Sequence, residues 1–191
     1  MSLKRIIISG VGGQGVRIIA HTLATFLFNL GYEVALLYDY DSSVRGEMSA
    51  AYLTYGDEPV TSPVIEKADI MLKLANKAHG LVAERTIGEE GMAVEEEIPF
   101  AKLGMRYFGR EIFGNMIALG RMMRLIGLEV DYEALKQILP LSYREENISA
   151  IHYGYNLLEH DLQRGTESTE SRWINYIAPT PGEGDLEAEV S

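Results

Sequence analysis

Ile6-Ile-Ile-Ser-Gly10-Val-Gly-Gly-Gln-Gly15-Val16 is the stretch on which the fold turns. Three consecutive isoleucines predict a strand buried on both sides, as in the interior of a parallel sheet. Gly10, Gly12 and Gly15 then follow at the spacing of a tight strand-to-helix turn, in which glycines permit positive φ and close approach to the backbone. Beyond the turn, Val16, Ile19, Ala20, Leu23, Leu27 and Leu30 recur at helical spacing, and Gly31 supplies a stop. Strand, glycine turn and helix thus arrive in the order that a doubly wound fold requires.

Working outward, Glu33-Val-Ala-Leu-Leu-Tyr38 predicts a second strand ending at Asp39 and completing a β-α-β unit. Ser49 to Tyr55 suits a third strand, closed by Gly56-Asp57. Ser62-Pro63 predicts a short helix through Lys67, and Ala68 to Leu74 a fourth strand. From Asn76 the expectation is a helix around His79 to Arg85, a short strand at Met92-Ala-Val94 and a solvated acidic loop at Glu95 to Glu97. Phe113, Met116, Ile117, Gly120, Met123 and Ile126 form a helical stripe. Asp131 is expected to cap a helix carrying Leu135, Ile138 and Leu139. Ser142 with Glu145 reads as a capping box for a last helix through Ile148, Ile151, Tyr155 and Leu158, to about Glu159. The expected architecture is α/β: a three-layer, Rossmann-like, mostly parallel sheet with flanking helices and a helical C-terminal part.

The 191 residues, 47% of them hydrophobic, suffice for one full-sized core. A single domain over residues 1–164 is expected, with 165–191 a mobile acidic tail. Six acids against Arg172 give that tail a charge of −5, out of −11 for the chain. Within it, Trp173-Ile-Asn-Tyr-Ile177 is an apolar patch suited to docking on the domain or on a partner. The remaining charge offers no basic face for nucleic acid, which is not an expected partner. The apolar run at the N-terminus is far shorter than the ~20 residues of a membrane span, so a cytoplasmic protein without a membrane partner is expected. With no cysteine, the chain holds no disulfide, thiolate zinc site or cysteine-ligated iron–sulfur cluster.

The glycine spacing admits two readings, a dinucleotide site or a structural turn. In the first, N–H groups at the helix N-terminus attract an anion and Asp39 contacts a ribose hydroxyl. Gln14 adds a long amide inside the loop, placed to bond a ligand or a neighbouring chain, and Gly13 adds freedom that the spacing does not demand. Ser42-Ser-Val-Arg-Gly46 follows the second strand on the same side of the sheet. Arg45 there is a candidate for bidentate pairing with phosphate or carboxylate, and Gly46 allows a sharp turn beside it. His21, His79, His152 and His160 lack metal-ligand spacing, and no metal site is expected. No Gly-x-Ser-x-Gly elbow or Gly-x-x-x-x-Gly-Lys-Ser/Thr loop is present.

Taken together, Ile8-Ser-Gly-Val-Gly-Gly-Gln-Gly15, Ser43-Val-Arg-Gly46, Thr61-Ser-Pro-Val64 with Ala68-Asp69, Gly114-Asn-Met-Ile-Ala-Leu-Gly120, and Glu146-Asn147 with Gly154 resemble one family. It is the gamma subunit, or domain, of the 2-oxoacid:ferredoxin oxidoreductases, which act on pyruvate, 2-oxoisovalerate, 2-oxoglutarate or indolepyruvate. The resemblance implies a non-catalytic subunit of a complex that oxidatively decarboxylates 2-oxoacids and passes electrons to ferredoxin. Thiamine diphosphate and iron–sulfur clusters would sit on partner subunits. Gly10, Gly12, Gly13, Gln14 and Gly15, with Arg45 and Gly46, would face those partners or coenzyme A, and no catalytic residue is implied. Glu47 stands where the family usually has a further glycine, adding negative charge beside the proposed anion site. A stand-alone nucleotide- or coenzyme A-binding protein, or a homodimer, is the alternative.

Overall fold

The computed structural model describes residues 3–40, 48–61, 65–75 and 81–157. Strand β1 (Lys4–Val11) leads through the glycine turn into α1 (Val16–Asn29), followed by β2 (Glu33–Tyr40), β3 (Met48–Gly56), β4 (Lys67–Lys73), β5 (Val82–Glu89) and the short β6 (Glu96–Ile98). Helices α2 (Phe100–Phe108), α3 (Gly114–Leu125), α4 (Tyr132–Ile138) and α5 (Arg144–Tyr155) complete the described chain, with a 3₁₀ turn over Glu111–Phe113 before α3.

The α/β reading holds, as a six-stranded mixed sheet in the order β2-β3-β1-β4-β5-β6. β1 pairs in parallel with β4, β4 with β5 and β5 with β6, whereas β3 runs antiparallel to both β1 and β2. Five strands therefore point one way and β3 the other. β3 returns from β2 directly into the gap between β2 and β1, with Ile7 opposite Tyr52 and Leu36 opposite Leu53. The β-α-β unit read from the sequence is split by this inserted strand.

The three isoleucines occupy both sides of β1 as expected, all fully buried. Ile6 and Ile8 join Leu53, Ile70, Leu72 and Ile87 in the main core against Ile19, Leu23 and Leu27 of α1 and Ile117 of α3. Ile7 faces the other way, into a smaller cluster with Ile65, Ala68 and Met71 to which no described helix contributes. α1 begins at Gly15, whose φ of 76° is left-handed, and ends where Gly31 at φ 91° lets Tyr32 N–H return to the Leu27 carbonyl.

Five expectations fail between residues 62 and 145. Over His79 to Arg85, residues 76–80 lie outside the described chain, but Val82 onward is β5, not helix. Val82, Thr86 and Ile87 favour a strand, and a side chain at Gly88 would strike the Lys73 carbonyl, so glycine lets β5 lie close to β4. The strand expected at Met92–Val94 is a turn, with Gly91 at φ 83° and Ala93 at φ 49°, and the strand begins later, at Glu96. Glu97 holds that turn by accepting the Gly91 and Ala93 N–H groups, while Glu96 is buried in an ion pair, so this is no solvated acidic loop. Ser142 caps nothing: α5 starts after Tyr143, which is left-handed at φ 55° and gives no side-chain cap. Of the helix expected from Ser62, residues 62–64 lie outside the described chain and Lys67 already opens β4. By contrast, Asp131 caps α4 as expected, accepting from Glu133 and Ala134 N–H. The tail and residues 158–159 of the expected last helix lie outside the described residues.

Candidate functional site

Chain order puts the site at the carboxyl ends of β1, β4 and β5. From β1 the chain goes to the sheet edge at β2 and comes back through β3, then resumes on the far side of β1 with β4. Connections diverge between β1 and β4, the kind of crevice where open α/β sheets bind ligands. A cleft of about 310 Å³ opens there, lined by Gly13 and Gln14 after β1, Leu74 after β4, Glu89 at the end of β5, and Phe100, Glu111, Ile112 and Asn115 among the residues of α2, the 3₁₀ turn and α3.

The turn divides into an inner and an outer half. Gln14 folds back into the protein: its Oε1 accepts the Val11 N–H at 2.8 Å and its Nε2 donates to the Leu74 carbonyl at 3.0 Å. The amide expected to meet a ligand is thus occupied in bracing β1 to β4. Gly10 makes room for it, since a Cβ there would lie 2.9 Å from Gln14 Oε1 and from Val16. Gly15 is confined in the same way by the Asn115 side chain. Gly12 and Gly13 are different: both are exposed, and a Cβ on either would meet nothing within 4 Å. Only this outer half is bare backbone open to an approaching group.

Two side chains missed in the sequence reading complete the cleft. The Asn115 Nδ2 is buried without a hydrogen-bond partner, an unusual expense for a native protein. Glu89 accepts the Ala101 N–H at 3.0 Å and so caps α2, while burial pushes its carboxyl above the ordinary glutamate range against the lowering effect of the Ala101 and Glu90 N–H groups. Neither stood out because each depends on tertiary packing. The motif Gly114-Asn115 was visible, but its meeting with Gly15 was not.

Asp39 is not placed for the ribose contact of a dinucleotide fold. It ends β2, and β3 separates β2 from β1. One interstrand spacing is thereby added, so that two spacings, about 10 Å, separate the strand carrying the acid from the strand leading into the turn. Arg45, Gly46 and Glu47 lie outside the described residues. The cleft's described lining has two carboxylates, Glu89 and Glu111, and no lysine or arginine.

Residues 5–157 match the family model described as pyruvate ferredoxin/flavodoxin oxidoreductase. The chain belongs to this family. Its resemblance to the gamma subunits of 2-oxoacid:ferredoxin oxidoreductases is borne out by its relatives. It is 27% identical over 179 residues to the 2-oxoglutarate synthase subunit KorC of Archaeoglobus fulgidus, covering 89% of this chain and 92% of that protein. The keto/oxoacid ferredoxin oxidoreductase gamma subunit of Geobacter sulfurreducens has the same fold, at TM-score 0.65 and 24% identity, over 81% of this chain and 95% of that one. A chain of the 2-oxoglutarate:ferredoxin oxidoreductase of Magnetococcus marinus, solved with 2-oxoglutarate, coenzyme A and succinyl-CoA bound, matches at TM-score 0.66 and 15% identity, over 84% of this chain and 32% of that one. The shared fold thus makes up nearly the whole of the Geobacter chain and about a third of the Magnetococcus chain. No helix among the described residues is long and apolar enough to cross a membrane.

Proposed function

We propose that this chain is the gamma subunit of a cytoplasmic 2-oxoacid:ferredoxin oxidoreductase complex, whose thiamine diphosphate and iron–sulfur clusters are held by partner subunits. The observation that carries this reading is the match to a 2-oxoglutarate synthase subunit over 89% of this chain, which has no cysteine for a cluster. In such a complex the diphosphate cofactor supplies the decarboxylation chemistry. The part left to this chain is to present a rigid surface, and its residues suit that part: Gln14 locks the turn, and Gly12 and Gly13 expose backbone beside the cleft.

Coenzyme A is the small molecule to test at this cleft. The described lining suits its uncharged amide arm better than its phosphates, because Glu89 and Glu111 would repel an anion and no described cation offsets them. The same two acids, with Asp39 two strands away, count against a stand-alone dinucleotide-binding protein. 2-Oxoglutarate leads the list of substrates, since it is named for the curated relative, with pyruvate, 2-oxoisovalerate and indolepyruvate as comparisons.

Deleting the gene and assaying ferredoxin reduction by extracts supplied with each 2-oxoacid tests the reading. Loss of activity with one substrate, restored by adding back the complex containing this chain, is the expected result. Undiminished oxidation of all four would refute it.

A further inference from the structure

The two edges of the sheet differ in how they are guarded. Native sheets blunt an exposed edge with a short strand, charged side chains, proline or a bulge, because its unpaired N–H and C=O groups invite another strand. The β6 edge follows that rule: it spans three residues, two of them glutamates. The β2 edge does not. It runs for eight residues, Glu33-Val-Ala-Leu-Leu-Tyr-Asp-Tyr40, without proline, lysine or arginine. Its register against β3 is unbroken from Glu33 opposite Gly56 to Tyr40 opposite Ser49, and β3 is its sole neighbour among the described strands. On the face of the sheet away from α1, one row of side chains runs Met71, Ile7, Tyr52, Leu37, each opposite the next on adjacent strands. Ile7 and Met71 are buried and Tyr52 packs half-buried against their cluster, but Leu37 is 45% exposed. The apolar row therefore stops in solvent, on an unguarded edge. Phe28 and Leu30, both exposed, stand at the end of α1 just before β2 begins.

The strand is complementary to itself in one register. A two-fold axis normal to the sheet pairs β2 antiparallel with its copy and keeps like faces together, so the axis passes through a single residue. Two such registers engage seven of the eight residues, one centred on Leu36 and one on Leu37. Centring on Leu36 sets Glu33 against Asp39, and like charges directly opposite are destabilising. Centring on Leu37 sets that leucine against its own copy, Leu36 against Tyr38 and Ala35 against Asp39, so that no two acids face each other. The acids of β2 thus select a register rather than guard the edge.

We propose that β2 pairs antiparallel with β2 of a second copy of this chain about a two-fold axis at Leu37, joining two six-stranded sheets into one. The row Met71, Ile7, Tyr52, Leu37 then continues through the second Leu37 into the other copy. None of the residues lining the cleft between β1 and β4 belongs to β2, so the pairing leaves the candidate site to other partners. It does not depend on the proposed complex: a free dimer satisfies it, and within a complex it brings two copies of this chain together.

The chain has no cysteine, so a single introduced thiol reports on its own surroundings. Facing residues of an antiparallel pair stand about 4.5–5.5 Å apart at Cα, within the span of a disulfide. The purified full-length chain is expected to sediment as a dimer, and Leu37→Cys to give a reducible covalent dimer in high yield on mild oxidation. Ala35→Cys alone should give none, since its copy stands four residues along the strand, about 13 Å away. Ala35→Cys mixed with Asp39→Cys should cross-link one to the other. Leu37→Glu sets two carboxylates together at the axis and should sediment as a monomer, with the circular dichroism of the wild type. A wild-type chain that stays monomeric overturns the proposal. So does a dimer in which Leu37→Cys fails to cross-link, or one that persists in Leu37→Glu, because another face or another segment then occupies the contact. Cross-linking by Ala35→Cys alone to the same yield as Leu37→Cys overturns the register and the axis with it.

Discussion

At the scale of single residues, the glycine turn separates positions that hold the fold from positions free to meet another molecule. Gly12 has empty space where a side chain would go. Gly12→Ala should leave the unfolding free energy within about 0.5 kcal/mol of the wild type, as for a surface change, yet weaken assembly measured by co-elution with the partner subunits. Gly15→Ala should instead destabilise the isolated chain, because Asn115 fills the space and the backbone is left-handed. Glu89 gives a pH signature. Burial raises its carboxyl pKa in the folded chain, so the native state binds its proton more tightly than the unfolded state does. Stability from this group is therefore full below the ordinary glutamate value and is lost as pH rises towards the raised folded value. In pH-dependent denaturant melts Glu89→Gln should remove that decline, and a profile identical to wild type would refute the assignment. The turn's glycines were legible because their spacing is local. The bracing bonds of Gln14 were not legible because its partner, Leu74, lies 60 residues away after a strand whose proximity only the sheet order reveals.

Elements cohere through two devices, one apolar and one ionic. Helices α3 and α5 cross with backbone against backbone: a Cβ on Gly120 would strike the Ile151 carbonyl, and one on Gly154 the Ile117 carbonyl. Gly120→Ala and Gly154→Ala should each cost about 1–3 kcal/mol or more in denaturant melts, although alanine is the better helix former. Both glycines were visible as motif positions, and the crossing is the physical reason for them. The ionic device was invisible. Arg121 is 1% exposed and bonds Glu96 through Nε at 2.6 Å and Nη2 at 3.2 Å, while its Nη1 donates to the Leu157 carbonyl. It ties β6, α3 and the segment after α5 together. Arg121→Met should cost about 3–5 kcal/mol, because it leaves the Glu96 carboxylate with only the half-exposed Arg85 at 3.4 Å, and adding Glu96→Leu should recover part of that loss, as a double-mutant cycle would measure. Glu96 sits in a run of three glutamates whose sequence alone suggests solvent. Only the position of Arg121 across the fold distinguishes the middle one. The region from 79 to 98 failed in the sequence reading for a related reason, since β5 carries the adjacent charges Glu84-Arg85 and no apolar alternation, and β6 spans three residues.

For the whole molecule, the fold was legible from its first 31 residues, whose strand, turn and helix stand where they were expected. The insertion of β3 between β1 and β2 was not, because strand order leaves no periodicity in the chain. That insertion matters for function: it moves Asp39 away from the turn and takes weight from the dinucleotide reading, leaving a face of bare glycine backbone and a carboxylate-lined cleft suited to a subunit contact. Membership of a working complex is tested by isolating the tagged chain from its own cells under native conditions. Co-elution in fixed ratio with larger subunits that contain thiamine diphosphate and iron–sulfur clusters is expected, in a fraction that reduces ferredoxin when given a 2-oxoacid. Recovery of the chain solely as a free monomer or homo-oligomer, with 2-oxoacid oxidation eluting elsewhere, would contradict it.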